Sequence, residues 1–152
     1  MRRTKVYEVG RTQFIKTVER NTYRDDDEKE AKGFGCKSIA DCYVKSNHEF
    51  ARYFILTQDT HTVATVLLQR DGHIIFFTSK SITHHISLIK SLIRLAKRES
   101  KCAGPLITKT ASWYKEALRI NRLIGFWPYK LYSDYGFYVF GYKDIERLGD
   151  GR

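Results

Sequence analysis

Apolar positions in this chain change spacing several times, and each change marks a boundary between elements. Residues 12–18, Thr-Gln-Phe-Ile-Lys-Thr-Val, are rich in β-prone types and predict a first strand, preceded by another over Lys5–Val9. Residues 21–32 place acids early and lysines late, as the macrodipole of a helix stopping near Gly33 prefers. The Asp25-Asp26-Asp27 run inside it predicts a solvated face rather than a metal site, since adjacent helical side chains do not face one point. Ser38 with Asp41 three positions on has the form of a helix start, and a short helix there would bury Ile39, Cys42 and Tyr43.

Alternation then takes over. Residues 51–57, 62–69 and 73–79 form three strand candidates, divided by Asp59-Thr60-His61 and by Arg70-Asp71-Gly72, a sequence suited to a hairpin turn. A long helix is predicted from Ile82 to Lys101. At about 100° per residue, Ile86, Leu88, Ile89, Leu92, Ile93, Leu95 and Ala96 fall on one face, and Lys90, Arg94, Lys97, Arg98 and Lys101 on the opposite one. Pro105–Ala111 predicts a strand, Ser112 a cap for a helix over 113–124, and Gly125 its left-handed end. Strands over Tyr129–Ser133 and Gly136–Tyr142 close the chain as a hairpin around Asp134-Tyr135. The order implies α+β layering with some parallel pairing in the middle.

At 152 residues and 42% hydrophobic content, one self-sufficient domain over 1–152 is expected. No apolar stretch has the length of a membrane span, and Met-Arg-Arg-Thr-Lys lacks the apolar core of a signal peptide, so a cytoplasmic protein without a membrane partner is expected. Cys36, Cys42 and Cys102 lack C-x-x-C spacing, which fits reduced thiols and no metal site. Net charge is +10, and it is uneven: residues 1–76 carry 13 Lys/Arg against 11 Asp/Glu, residues 77–152 carry 14 against 6. Such a field favours an anionic partner.

Residues 114–126 carry the most specific pattern. The family motif Asn-x-x-Ala-[Ile/Leu]-x-[Leu/Ile]-Tyr-x-x-x-Gly-Phe is matched at Ala117, Leu118, Ile120, Gly125 and Phe126, with Tyr114 and Asn121 at its two polar positions. On these residues the chain resembles the GCN5-related N-acetyltransferases (GNAT). The resemblance implies an α+β fold with a mixed central sheet of about six to seven strands and about four helices. It also implies that the loop before the long helix holds the pyrophosphate of acetyl-CoA, which assigns cofactor contacts to Lys80, Ser81, Thr83, His84 and His85. Lys80 keeps a cation at the first loop position, but Thr83 and His85 fill two positions that the family gives to small residues. Asn121 stands where many members have a tyrosine acid, and an amide cannot donate a proton to a leaving group at neutral pH.

A narrower likeness involves Ile-Phe-Phe-Thr-Ser-Lys at 75–80, the Leu-Ile-Gly-Phe block and the aromatic hairpin. These strings resemble the small GNAT-like internal virion or morphogenesis proteins of podovirus phages. The expectation is therefore a phage-encoded protein in the host cytoplasm or the virion, with a degenerate acetyl-CoA loop, acting through protein association in virion morphogenesis or host takeover. The alternative is an active acetyl-CoA-dependent N-acetyltransferase, and a third option is a basic nucleic-acid-binding protein.

Two further groups bear on these options. The face formed by Lys90, Arg94, Lys97, Arg98 and Lys101 reads equally as a solvated helix face or as a surface for an acidic protein partner or nucleic-acid phosphates. The aromatic residues Phe126, Trp127, Tyr129, Tyr132, Tyr135, Phe137, Tyr138, Phe140 and Tyr142 fit cross-strand packing better than base stacking. His84 and His85 would point about 100° apart on a helix, which argues against a shared metal.

Overall fold

The computed structural model describes residues 3–46 and 48–141. They form β1 (Thr4–Val9), α1 (Arg11–Arg20), α2 (Asp25–Gly33), α3 (Ile39–Lys45), β2 (Arg52–Gln58), β3 (His61–Leu68) and β4 (Ile74–Thr78). Then follow α4 (His85–Ala103), β5 (Ile107–Ala111), α5 (Lys115–Ile124), β6 (Phe126–Leu131) and β7 (Tyr135–Phe140). No helix among the described residues is long and apolar enough to cross a membrane.

One antiparallel sheet runs β1-β2-β3-β4 and a second runs β5-β7-β6. The expected mixed sheet is thus two antiparallel sheets, and among the described residues the parallel pairing between them is a single bridge, His73 to Ile107. Among the described residues five helices are seen rather than about four, because the segment 12–18 is helical. Its β-branched residues are overruled by tertiary contact: Phe14 and Val18, one helical turn apart, are 0% and 2% exposed. Ser112 does not cap α5. That helix starts at Lys115 with no side-chain cap, and the Ser112 hydroxyl donates instead to Tyr132 O at 3.4 Å. Helix α4 begins at His85 rather than Ile82, and Ile86 lies outward, 74% exposed. The last strand ends at Phe140, and Tyr142 lies outside the described residues.

Strand alternation divides the core in two. From β2, Phe54 and Leu56 meet α4 and α5 residues such as Leu88, Leu92 and Ile120, while Tyr53 and Ile55 meet Phe14, Val18 and Tyr43 from α1 and α3. Each face of the sheet therefore has its own apolar cluster. On the second face, the wholly buried Tyr43 donates its hydroxyl to Thr65 O at 2.9 Å, and the Tyr23 hydroxyl lies 2.9 Å from Thr65 Oγ1. Buried hydroxyls need such partners. At the other end, Arg52 holds Glu8 of β1 and the buried Glu99 of α4, so one guanidinium ties two strands to a helix.

Tyr43→Phe removes a buried donor while keeping ring packing. We expect it to lower unfolding free energy by about 1–2 kcal/mol, measured by urea denaturation, with little change in slope.

Candidate functional site

The site begins where the two sheets meet. Ile107 N donates to Gly72 O at 2.9 Å beside the His73–Ile107 bridge, and Gly72 adopts φ +94° with a Cβ position only 2.4 Å from Pro105 O. Only glycine permits that approach. Beyond this point β4 and β5 diverge, and the register shows which backbone groups face the gap. Ser79 N bonds Val63 O and Gln69 N bonds His73 O, both at 2.8 Å, so odd-numbered residues of β4 exchange bonds with β3. The amides and carbonyls of Phe76 and Thr78 therefore point away from β3, those of Phe76 into the gap and those of Thr78 beside the bridge from Tyr23 to Ser79. On β5, Phe140 N bonds Leu106 O at 2.9 Å, so even-numbered residues face β7 and the backbone of Lys109 and Ala111 faces the gap. Two strand edges border one cleft, and their far ends are taken up by other partners: residues 22–24 bridge the end of β4 at Ser79, and Ala111 N is bonded to Glu30.

That cleft has a volume of about 380 Å³ and takes its lining from both edges, from α2 and from α5, including Phe76, Thr78, Thr110, Asn121, Asp27 and Glu30. Helix α2 reaches across its wide end with one face. Arg24 donates to Thr78 Oγ1 on β4 and pairs with Asp27 at 3.4 Å. Glu30 accepts Ala111 N of β5 at 2.8 Å. Asp27 accepts the Tyr114 hydroxyl at 2.6 Å. These residues stand three apart, so they share one side of the helix.

Both acids are buried, 3% exposed for Asp27 and 6% for Glu30. Burial pushes the Asp27 carboxyl above its ordinary value, with the Tyr114 bond and the Arg24 charge opposing. Burial raises Glu30 to about 7, the Ala111 amide opposes this, and the Asp27 charge adds to it. A carboxyl with that value beside a cleft exchanges protons near neutral pH.

The residues proposed from the sequence fall in three places. Asn121 is buried at the cleft, but its amide donates to Thr110 Oγ1 at 2.8 Å, so it braces β5. Lys80, Ser81, His84 and His85 are exposed around the start of α4, beyond the wide end of the cleft. Thr83 turns its hydroxyl to Gln58 Oε1 at 3.2 Å. The amides of His85, Ile86 and Ser87 have no acceptor among the described residues. Lys90, Arg94, Lys97, Arg98 and Lys101 are all exposed on α4, apart from the cleft. Arg98 pairs with Glu99 at 3.0 Å and Arg94 bonds Ser91 Oγ at 3.1 Å, while Lys90, Lys97 and Lys101 have no carboxylate partner among the described residues. No cluster of His, Cys, Asp or Glu suited to a metal occurs among the described residues.

Asp27, Glu30, Arg24 and Gln58 were not legible as site residues. Asp25 and Asp26 are exposed as the solvated reading expects, but Asp27 is not. The available signal was Asp27, Glu30 and Ala31 at spacings of three and four, two acids on the one helix face that also carries an apolar residue.

No family model matches the chain, and no curated protein matches it. Solved structures do. The GNAT domain of S. lividans PAT superposes with a TM-score of 0.67 at 11% identity, over 90% of this chain and 89% of that one. AAC(6')-Ib in complex with paromomycin and acetyl-CoA gives 0.67 at 11% identity, over 95% and 97%. Aminoglycoside N(6')acetyltransferase from Legionella pneumophila gives 0.64 at 10% identity, over 96% of each chain. The chain thus has the GNAT fold. The comparisons contain no link to phage virion proteins.

Because the folded protein holds the Glu30 proton more tightly than the unfolded chain, stability is fullest below about 4.5 and falls as pH rises through about 7. Glu30→Gln keeps an oxygen for the Ala111 amide and removes the titration. Urea melts at pH 5 and pH 8 should show the wild type losing up to about 3 kcal/mol more than the variant. Equal losses in the two proteins would contradict the assignment.

Proposed function

We propose that this protein is an acetyl-CoA-dependent N-acyltransferase whose acceptor is a cationic amine. The observation that carries this reading is the cleft where β4 and β5 part after a single bridge, with the buried Glu30 carboxyl set against it. The cleft fits the cofactor: the backbone N–H and C=O of Phe76, turned away from β3, offer hydrogen bonds to an extended amide-bearing pantetheine arm. Lys80 and the unspent amides of His85, Ile86 and Ser87 would hold the pyrophosphate, with Ser81, His84 and His85 beside them. When bound, acetyl-CoA supplies an activated thioester.

The protein's own residues supply the rest. Asp27 and Glu30 favour a positively charged amine at the α2 side of the cleft. Glu30, raised to about 7, takes a proton from that amine at neutral pH, leaving the nitrogen lone pair free to react. Thr83 does not serve as a phosphate donor here because its hydroxyl is spent on Gln58. Asn121 holds Thr110, and no proton donor to the departing thiolate is assigned to it. Structures with this fold include the aminoglycoside enzyme above and a spermidine N-acetyltransferase from Vibrio cholerae, which is consistent with an amine acceptor.

A second reading has its own observation. The exposed Lys90, Lys97 and Lys101 on α4, free of carboxylate partners among the described residues, suit docking to an acidic protein or to nucleic acid. Roles in virion morphogenesis or host takeover attach to that surface rather than to the cleft.

Calorimetry should give a micromolar Kd for acetyl-CoA. With an amine acceptor, Glu30→Gln should keep that affinity and lose roughly 100-fold or more in kcat at pH 7.5. Absence of binding at millimolar cofactor would remove the enzymatic reading. For the second reading, affinity for a DNA duplex or for polyglutamate should fall steeply with salt and vanish on charge reversal at Lys90, Arg94 and Lys97; a flat response counts against it.

A further inference from the structure

The loop before α4 keeps its shape without glycine. None occurs between Gly72 and Gly104, and no residue from 79 to 84 has positive φ. Something other than backbone freedom must hold the turn, and one side chain does so. Gln58, at the end of β2, is 0% exposed, and both ends of its carboxamide are satisfied. Oε1 accepts His84 N at 3.0 Å and Thr83 Oγ1 at 3.2 Å; Nε2 donates to His84 O at 2.7 Å and to Thr4 Oγ1 at 3.0 Å.

Three consequences follow from these bonds. His84 is held in an extended conformation, φ −127° and ψ 90°, so the helix starts at His85 and Leu88 N closes the first turn on His84 O at 3.1 Å. The Thr83 hydroxyl is drawn toward β2 by its bond to Gln58. The one helix-start amide that Gln58 consumes is that of His84, leaving those of His85, Ile86 and Ser87 to face outward together.

We propose that Gln58 is the positioning residue of the anion-binding turn, performing with a buried amide what glycines perform elsewhere. This rests on the acyltransferase reading given above. The role needs a neutral amide. A carboxylate there could accept from His84 N and Thr83, but it would face the carbonyl of His84 with no donor and would repel a nearby diphosphate.

The test compares two ligands on wild type, Gln58→Leu and Gln58→Glu: acetyl-CoA, and S-acetylpantetheine, which lacks the diphosphate. Kd is measured by calorimetry or NMR titration, and circular dichroism and thermal melts check folding. We expect Gln58→Leu to weaken acetyl-CoA by roughly 10- to 100-fold while leaving S-acetylpantetheine within about twofold. Gln58→Glu should behave like the leucine variant at pH 8 and recover toward wild type as pH falls and the buried carboxyl becomes neutral. If wild type binds acetyl-CoA but both variants bind it equally well, Gln58 has no positioning role. Equal loss of both ligands would assign Gln58 a general structural role and overturn the proposal. If wild type itself binds neither ligand, the acyltransferase reading fails first and takes this inference with it.

Discussion

The structure depends on a pairing that stops. After one bridge between His73 and Ile107, β4 and β5 separate, and each presents backbone groups to a space where a continuous sheet would have bonded them. Unpaired strand edges are costly when buried and prone to association when exposed. Here both are covered by an acidic helix. Arg24 fastens to Thr78 on one edge and Glu30 to Ala111 on the other, so α2 bridges the divergence. This arrangement explains why two carboxyls in a chain of net charge +10 sit in the interior rather than on the surface.

Placing acids there has an energetic cost that the cleft makes useful. Desolvation raises both carboxyls, and each is retained by a directed bond, from Tyr114 to Asp27 and from the Ala111 amide to Glu30. The same burial that destabilises ionised Glu30 brings its proton affinity to the range a general base needs at neutral pH. Stability and chemistry thus meet in one side chain, as strained or perturbed groups at functional sites often do. The two-sided core isolates this region: one apolar cluster fixes α4 and α5 on one face, another fixes α1 and α3 on the other, and the cleft opens between them.

Much of the scaffold was legible because its signals are local. The β2–β4 meander follows from alternation and turn residues, and the apolar face of α4 from its spacing, with Leu88, Leu92, Leu95 and Ala96 buried as expected. Gly125 ends α5 at φ +120°, where its missing Cβ avoids Phe140. Segment 12–18 was misjudged because β propensity is weak beside the burial of Phe14 and Val18. The site was less legible. Glu30 meets Ala111 across 81 positions of sequence, and Gln58 meets His84 across 26. Nothing in local composition signals either pairing.

The sequence by itself determined the order of elements, the amphipathic faces and the motif residues around Gly125, since these depend on periods of two and 3.6 and on the freedom of glycine. It also marked the loop at 80–85 as unusual. Only the tertiary structure decided what that loop and the acidic helix are for. The bond partners of Gln58, Asp27 and Glu30 come from distant strands, and the proton affinity of a carboxyl depends on the solvent and charges that the fold leaves around it.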